Sequence, residues 1–339
     1  MSDNENQAGH SSYKRSGSAL NSRPRKKATS SNPLVLHGRH FGRTVFALCN
    51  YPALLTAGIL RLEELQDSSI EDYPAEVFIE LIDSYPGLLA RLTDGEEEDI
   101  ILVGELLGKG ASGARGDDTK TLKSAVLKWL VPRGQPLIPP LSRNIKSDRG
   151  FNHEVTGRLL CPAGIDWSNA ETKQALKSGE TAVRGDQWPI FLYTGYDYDP
   201  EDPWKGLLRS DILICGFKHV FTSPSSVEKE PKATRSGNAH LHGMKSVTKG
   251  SLAYIATQAR EFYYAYSILL IIPPDSIFLK FFVKDPDEIA EVTDLMTWWT
   301  CRVFPNSSSS ERTISKNSAL SKIRAKRAAL QELAAANTN

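Results

Sequence analysis

The sequence predicts a mainly α fold: a single helical domain with long Pro-rich and aromatic loops and disordered basic termini. Three observations carry this. Apolar residues recur at helical spacing through most of 44–130 and again near the C-terminus, no pair of alternating segments flanks a hairpin turn, and basic polar ends surround an acidic body. With 339 residues and 40% hydrophobic content, the chain can bury a substantial core as one domain over 41–305, between tails at 1–40 and 306–339. No internal repeat interrupts that plan.

Residues 1–33 are polar and rich in Ser and Asn, which predicts disorder, with order beginning near Phe41. Helices are then expected in "RTVFALCNYPALLTAGILRLEEL", interrupted by Pro52, in "PAEVFIELIDSY", opened by Pro74, and in "EEEDIILVGELLG" and "DDTKTLKSAVLKWL". In the last, Leu122, Val126, Trp129 and Leu130 share one face while Lys120, Lys123 and Lys128 lie away from it. Between these two, "LLGKGASGARG" reads as a helix end with a Gly-rich C-cap.

Residues 131–152 contain Pro132, Pro136, Pro139 and Pro140, a density that forbids both helix and central strand. Leu137, Ile138, Leu141 and Phe151 predict that this segment packs on the body. A short helix follows near 168–178, then an aromatic loop over 185–204, then "SDILICGFKHVF" with Ser210 as N-cap. A polar loop at 223–247 leads to a long helix from about Thr248. "PDEIAEVTDLMTWWTCRVF" closes the core, with Pro286 at a helix start. The tail "SALSKIRAKRAALQELAA" shows too few heptads for a coiled coil and predicts a frayed or partner-dependent helix.

Several motifs resemble sites. Gly108, Gly110 and Gly113 satisfy GxGxxG and Lys128 follows, but no HRD, DFG or APE accompanies them and "TLKSAVLKW" has helical periodicity, so a kinase phosphate loop is not indicated. Cys215 with His219, His240 with His242, and His153 with Cys161 are metal-ligand types without an established convergence, and no metal or cofactor is expected. "DYDPEDP" lacks the Gly and Glu of a calcium loop and reads as a solvated acidic turn that could partner the basic loop. His153, Cys161 and Asp166 are triad residue types only, and Pro162 after Cys161 points to a turn.

The clearest candidate site is the basic loop: Arg143, Lys146, Arg149, His153 and Arg158 are the anion-binding candidates. Guanidinium forks suit phosphate or carboxylate, and on a Pro-rich loop they equally suit backbone carbonyls, which is the reading the sequence favours.

Charge divides sharply along the chain, with +6 in residues 1–43, +4 in 306–339 and −9 between. Arg23, Arg25, Lys26 and Lys27 form a nuclear-import candidate, and the basic tails suggest nucleic acid or an acidic protein as partner, with salt-dependent binding as the expected signature. Cys49, Cys161, Cys215 and Cys301 are scattered, without disulfide or zinc spacing, which fits a reducing compartment. No secretory h-region or clean bilayer span is visible, because Pro273, Pro274 and Asp275 break the most apolar window. These features predict an intracellular protein, nuclear or cytoplasmic, without a membrane partner.

The stretches "RGQPLIPPLSRNIKSDRGFNHEVTGRLLCPAGIDW", "GDQWPIFLY", "YDYDPEDPWKGLLRS", "FKHVFTSPSSV" and "KATRSGNAHLHGM" resemble a large family of uncharacterised proteins from mushroom-forming fungi, a fungal domain-of-unknown-function family. The resemblance is dense over about 120–256 and weaker back to about 43, and it implies no reaction, ligand or catalytic residue. Residues 260–284 and the glycines at 108, 110 and 113 look particular to this chain. The expectation is therefore a non-enzymatic intracellular binding or scaffold protein. Its rival is an enzyme acting on a phosphorylated or anionic small molecule, with Arg143, Arg149 and His153 lining a pocket at the 143–158 loop.

Overall fold

The computed structural model describes residues 32–64, 73–131, 135–142, 145, 147–184, 187–227, 237–263 and 286–305. Its helices, in chain order, are α1 (Pro33–Thr44), α2 (Tyr51–Glu64), α3 (Tyr73–Ser84), α4 (Leu88–Thr93), α5 (Glu97–Trp129), α6 (Glu154–Leu160), α7 (Ala170–Ser178), α8 (Asp211–Phe217), α9 (Asn238–Leu241), α10 (Lys249–Tyr263) and α11 (Pro286–Val303). Among the described residues, β pairing is limited to two isolated bridges, so the fold is mainly α as the periodicity predicts. No helix among them is long and apolar enough to cross a membrane. The C-terminal tail and residues 264–285 lie outside the described residues.

Helix α5 is the spine, and it corrects the expected helix end at the glycines. It runs unbroken for 33 residues through Gly108, Gly110, Gly113 and Gly116. Each glycine inside a helix costs about 0.5–1 kcal/mol relative to alanine. The offsetting contact is with α1. A Cβ on Gly110 would overlap the Val35 carbonyl, and one on Gly38 would overlap the Leu107 carbonyl, so the two backbones touch at this crossing. Gly110 on α5 and Gly38 on α1 therefore serve helix packing.

The same crossing corrects the expected start of order at Phe41. Asn32 Oδ1 accepts from the Leu34 amide at 2.9 Å and Pro33 follows, which makes a complete N-cap and first turn eight residues earlier than expected. Helix α1 buries glycine surface as well as large apolar residues, so its composition looks polar.

A buried ion pair locks the crossing. Arg43 donates from Nε and Nη2 to the two carboxylate oxygens of Asp118 on α5, at 2.7 and 2.8 Å, and Tyr254 on α10 donates its hydroxyl to Asp118 at 2.7 Å. Burial pulls the Arg43 guanidinium down, but the hydrogen bond and charge of Asp118 more than offset this and leave its pKa raised. Burial, then the Asp118 charge, pushes the Tyr254 phenol up, so it stays a donor. At the end of α1, Thr248 donates its hydroxyl to the Thr44 carbonyl at 2.5 Å and forms a reciprocal cap with Ser251 at the start of α10.

Helix α5 also joins two cores. Its first half packs Val103 and Leu107 with Leu34, Phe41, Leu55 and Phe78, and its last turns pack Leu122 and Val126 with Phe217, Phe221 and Ile255. Helix α11 seals the second core: Trp299 is fully buried, lies 5.5 Å from the Phe217 ring and donates to the Leu208 carbonyl at 2.9 Å. Helix α8 begins after Ser210 as expected, yet the Ser210 hydroxyl makes no cap bond, and the chain continues past Phe217 as a π turn over Lys218–Thr222.

Two alanine substitutions on α5 should separate packing from propensity. Gly110→Ala should destabilise by about 1–3 kcal/mol through overpacking, whereas Gly116→Ala, whose Cβ would meet nothing within 4 Å, should stabilise by roughly 0.5–1 kcal/mol. Urea unfolding of the two variants checks this, and a gain for both would contradict the close crossing.

Candidate functional site

The Pro-rich segment is a strap held by polar bonds rather than by all of its apolar residues. Ile138 is 75% exposed, which corrects its expected burial, while Leu137, Leu141 and Phe151 are half-buried. Proline removes amide donors from the strap, so its carbonyls are its available grips, and side chains from the following turn hold them. Arg149 is buried and donates from Nη2 to the Ser142 carbonyl at 2.7 Å. Its pKa is lowered by burial, with Asp148 opposing.

His153 does two things at once. Its Nδ1 accepts from the Val155 amide at 3.1 Å and so caps α6, while Nε2 lies 2.8 Å from the Pro139 carbonyl. Because Nδ1 accepts, Nε2 carries the proton and donates, which fixes a neutral tautomer. The ring is 3% exposed, so no anion in solution reaches it without opening the strap.

Past α6 the chain turns back at Cys161–Trp167 and meets the aromatic loop. Ala163 donates to the Trp188 carbonyl at 2.8 Å and Ile190 donates to the Cys161 carbonyl at 2.9 Å. The aromatic loop is thus a run of tight turns, including the 3-10 turns Ile190–Leu192 and Thr194–Tyr196. A cavity of about 280 Å³ opens between the two segments, with Arg158, Pro162, Ile165, Trp167 and Tyr196 among its walls.

Each wall has a local reason for its position. Trp167 packs over Gly157, where a Cβ would overlap its ring, and its indole N–H donates to Glu154 at 3.0 Å, with Lys173 lying 5.4 Å from the ring. Tyr196 sits in the left-handed region at φ 59, directly after Gly195 at φ 66. A non-glycine residue there costs of order 1–3 kcal/mol and persists where its surroundings hold it. Burial, then the charges of Asp211 and Cys215, raise the Tyr196 phenol, and Arg158 opposes them, so the hydroxyl stays protonated at neutral pH.

Of the five anion-binding candidates, Arg158 is exposed on the cavity, and Arg149 and His153 are buried against strap carbonyls. Arg143 and Lys146 lie outside the described residues, as do Arg23, Arg25, Lys26 and Lys27. Arg158 forms none of the ion pairs found among the described residues. In the acidic turn, Asp199 accepts from Lys205 at 3.1 Å.

The triad residue types are engaged elsewhere. Cys161 donates its thiol to the Ile165 carbonyl at 3.5 Å, and burial followed by the Asp166 charge pushes its pKa up to about 11. Asp166 accepts from both the amide and the hydroxyl of Ser168 at 2.8 Å. The His242 ring stacks on His40 at 4.2 Å, and the His219 ring meets Trp129 edge-on at 5.7 Å. Among the described residues, no three His, Cys, Asp or Glu side chains converge to hold a metal. Sequence reasoning missed Tyr196 and Trp167, for which the sequence offered only an aromatic-rich loop and a Trp beside a turn.

Spine, strap and cavity define a mainly α protein with a pocket between the turn after α6 and the aromatic loop. Residues 109–267 match the model of a family of unknown function, DUF6698. No curated protein and no solved structure matches the chain.

Removing the His153 ring should free the strap. His153→Ala should destabilise by about 1–3 kcal/mol through loss of the cap and the carbonyl bond, and His153→Asn, which retains cap chemistry, should lose less. Hydrogen exchange across 137–149 should accelerate in His153→Ala, and unchanged exchange there would contradict the pinning role.

Proposed function

We propose that this chain is a non-catalytic binding protein whose helical body presents the Arg158 cavity to a small ligand carrying an anionic group. The observation that carries the reading is the contrast within the basic loop. Arg149 and His153 are spent on backbone carbonyls, whereas Arg158, on the last turn of α6, faces a walled cavity and pairs with no carboxylate among the described residues. A guanidinium so placed over a concave, partly apolar surface suits recognition of a charged group on a small molecule.

Two further observations favour binding over catalysis. The Cys161 thiol in the cavity wall is held protonated, because its pKa is pushed up to about 11, so it is a poor nucleophile at neutral pH. His153 has both ring nitrogens engaged and is not available as a base for a group in the cavity. The strap then has a structural role, fixing the start of α6, and α6 in turn fixes Arg158.

The test is a titration of the full chain with sodium benzoate and with inorganic phosphate, read by tryptophan fluorescence, for the native sequence and for Arg158→Gln. Saturable binding of at least one anion, weakened tenfold or more by the substitution, is expected. Equal binding by the variant would remove Arg158 from the role, and with it the proposal.

A further inference from the structure

The cavity walls narrow the ligand class, and this step rests on the reading of the cavity as an anion site. We propose that the cavity takes a small monocarboxylate with a flat apolar body, and that it discriminates against phosphate.

Charge is the first reason. Arg158 is the only Lys or Arg among the described cavity residues, and Asp166 also lines the space. The Asp166 carboxyl is held below its usual range by the Ser168 hydroxyl and amide, so it is ionised at neutral pH. One cation beside one fixed anion tolerates a single added negative charge. A phosphate, which carries on average more than one negative charge at neutral pH, would lack a second cation and would meet Asp166 as a repulsive neighbour.

Donor geometry is the second reason. A guanidinium presents a planar pair of N–H groups that matches the two oxygens of a carboxylate. Tyr196 lines the same cavity, and Arg158 lies close enough to act on its protonated phenol, which adds a neutral donor near the guanidinium. Two neighbouring donor groups of this kind suit a carboxylate better than a tetrahedral anion.

The remaining walls set the body of the ligand. Pro162, Ile165, Trp167 and Ile190 give apolar and aromatic surface, and Trp167 is held in place by its contact over Gly157 and its bond to Glu154. A volume of about 280 Å³ is near the lower end for small-molecule pockets, which run from about 300 to 1,000 Å³. At roughly 30 Å³ per water it displaces about nine waters, which corresponds to a single substituted ring.

Calorimetric titration of the full chain with sodium benzoate, benzyl alcohol and inorganic phosphate separates this proposal from the broader one. Benzoate should saturate at least tenfold more tightly than phosphate, and benzyl alcohol, which keeps the ring and loses the charge, should bind at least tenfold more weakly than benzoate. Arg158→Gln should weaken benzoate tenfold or more, with Arg158→Lys intermediate because it keeps the charge and loses the fork. Phosphate binding as tightly as benzoate in an Arg158-dependent way would overturn the monocarboxylate assignment and leave the anion site standing. Benzyl alcohol binding as tightly as benzoate, or no saturation by either anion, would overturn both.

Discussion

The fold depends on one contact: the crossing of α1 over α5, where glycines let two backbones touch and the Arg43, Asp118 and Tyr254 side chains close a buried polar knot. Taking a guanidinium and a carboxylate out of water costs several kcal/mol per ion, and the attraction offsets that only with good geometry and satisfied hydrogen bonds. Both conditions hold here, because the fork is bidentate and the phenol donates to the same carboxylate. A knot of this kind favours one register, since sliding α1 along α5 by a residue would separate the charges and drive side chains into the glycine contacts.

Everything downstream is referenced to that register. Helix α10 is tied to α1 through Thr248 and Thr44 and to α5 through Tyr254, and it then packs against α8 and α6. Helix α6 carries Arg158, and α8 follows the aromatic turns that carry Tyr196. The cavity is therefore far from the knot in sequence and connected to it through α10. The stretch matching DUF6698 contains Asp118 and Tyr254 but begins after Arg43, so the folded unit is larger than the matched region. Without α1, that stretch would bury an aspartate stripped of its guanidinium.

Much of this is legible in the sequence. Proline at first helical positions, apolar spacing in α5 and α10, and the absence of strand pairs point to a mainly α fold. The helix at 286–304 and the strap's departure from regular structure can be read in the same way. The spine cannot, because glycine is ambiguous to a local reading. The same residue ends a helix when its φ turns positive and packs a helix when a neighbour's backbone presses on it, and only the position of α1 decides between them. The early start of α1 is hidden for the same reason.

At the site, chemistry is legible and assignment is not. The sequence marks Arg149, His153 and Arg158 as one group, and the expectation that arginines hold a Pro-rich loop by its carbonyls describes Arg149, with His153 acting likewise. Nothing local distinguishes Arg158 from them. Its difference arises because the turn after α6 folds back against a segment some thirty residues later, a contact made at one isolated bridge, Pro162 to Pro189, without strand periodicity.

The most direct test of the central claim is a double-mutant cycle on the buried knot, measured by urea unfolding in a Tyr254→Phe background with Arg43→Met, Asp118→Leu and the pair together. Each single substitution should cost about 3–5 kcal/mol, because each leaves a buried charge without its partner. The double variant should fall short of the sum by at least about 1.5 kcal/mol, within the range seen for directly coupled residues. Additive losses, with coupling below about 0.5 kcal/mol, would show that α1 and α5 are held by other means and would contradict the account.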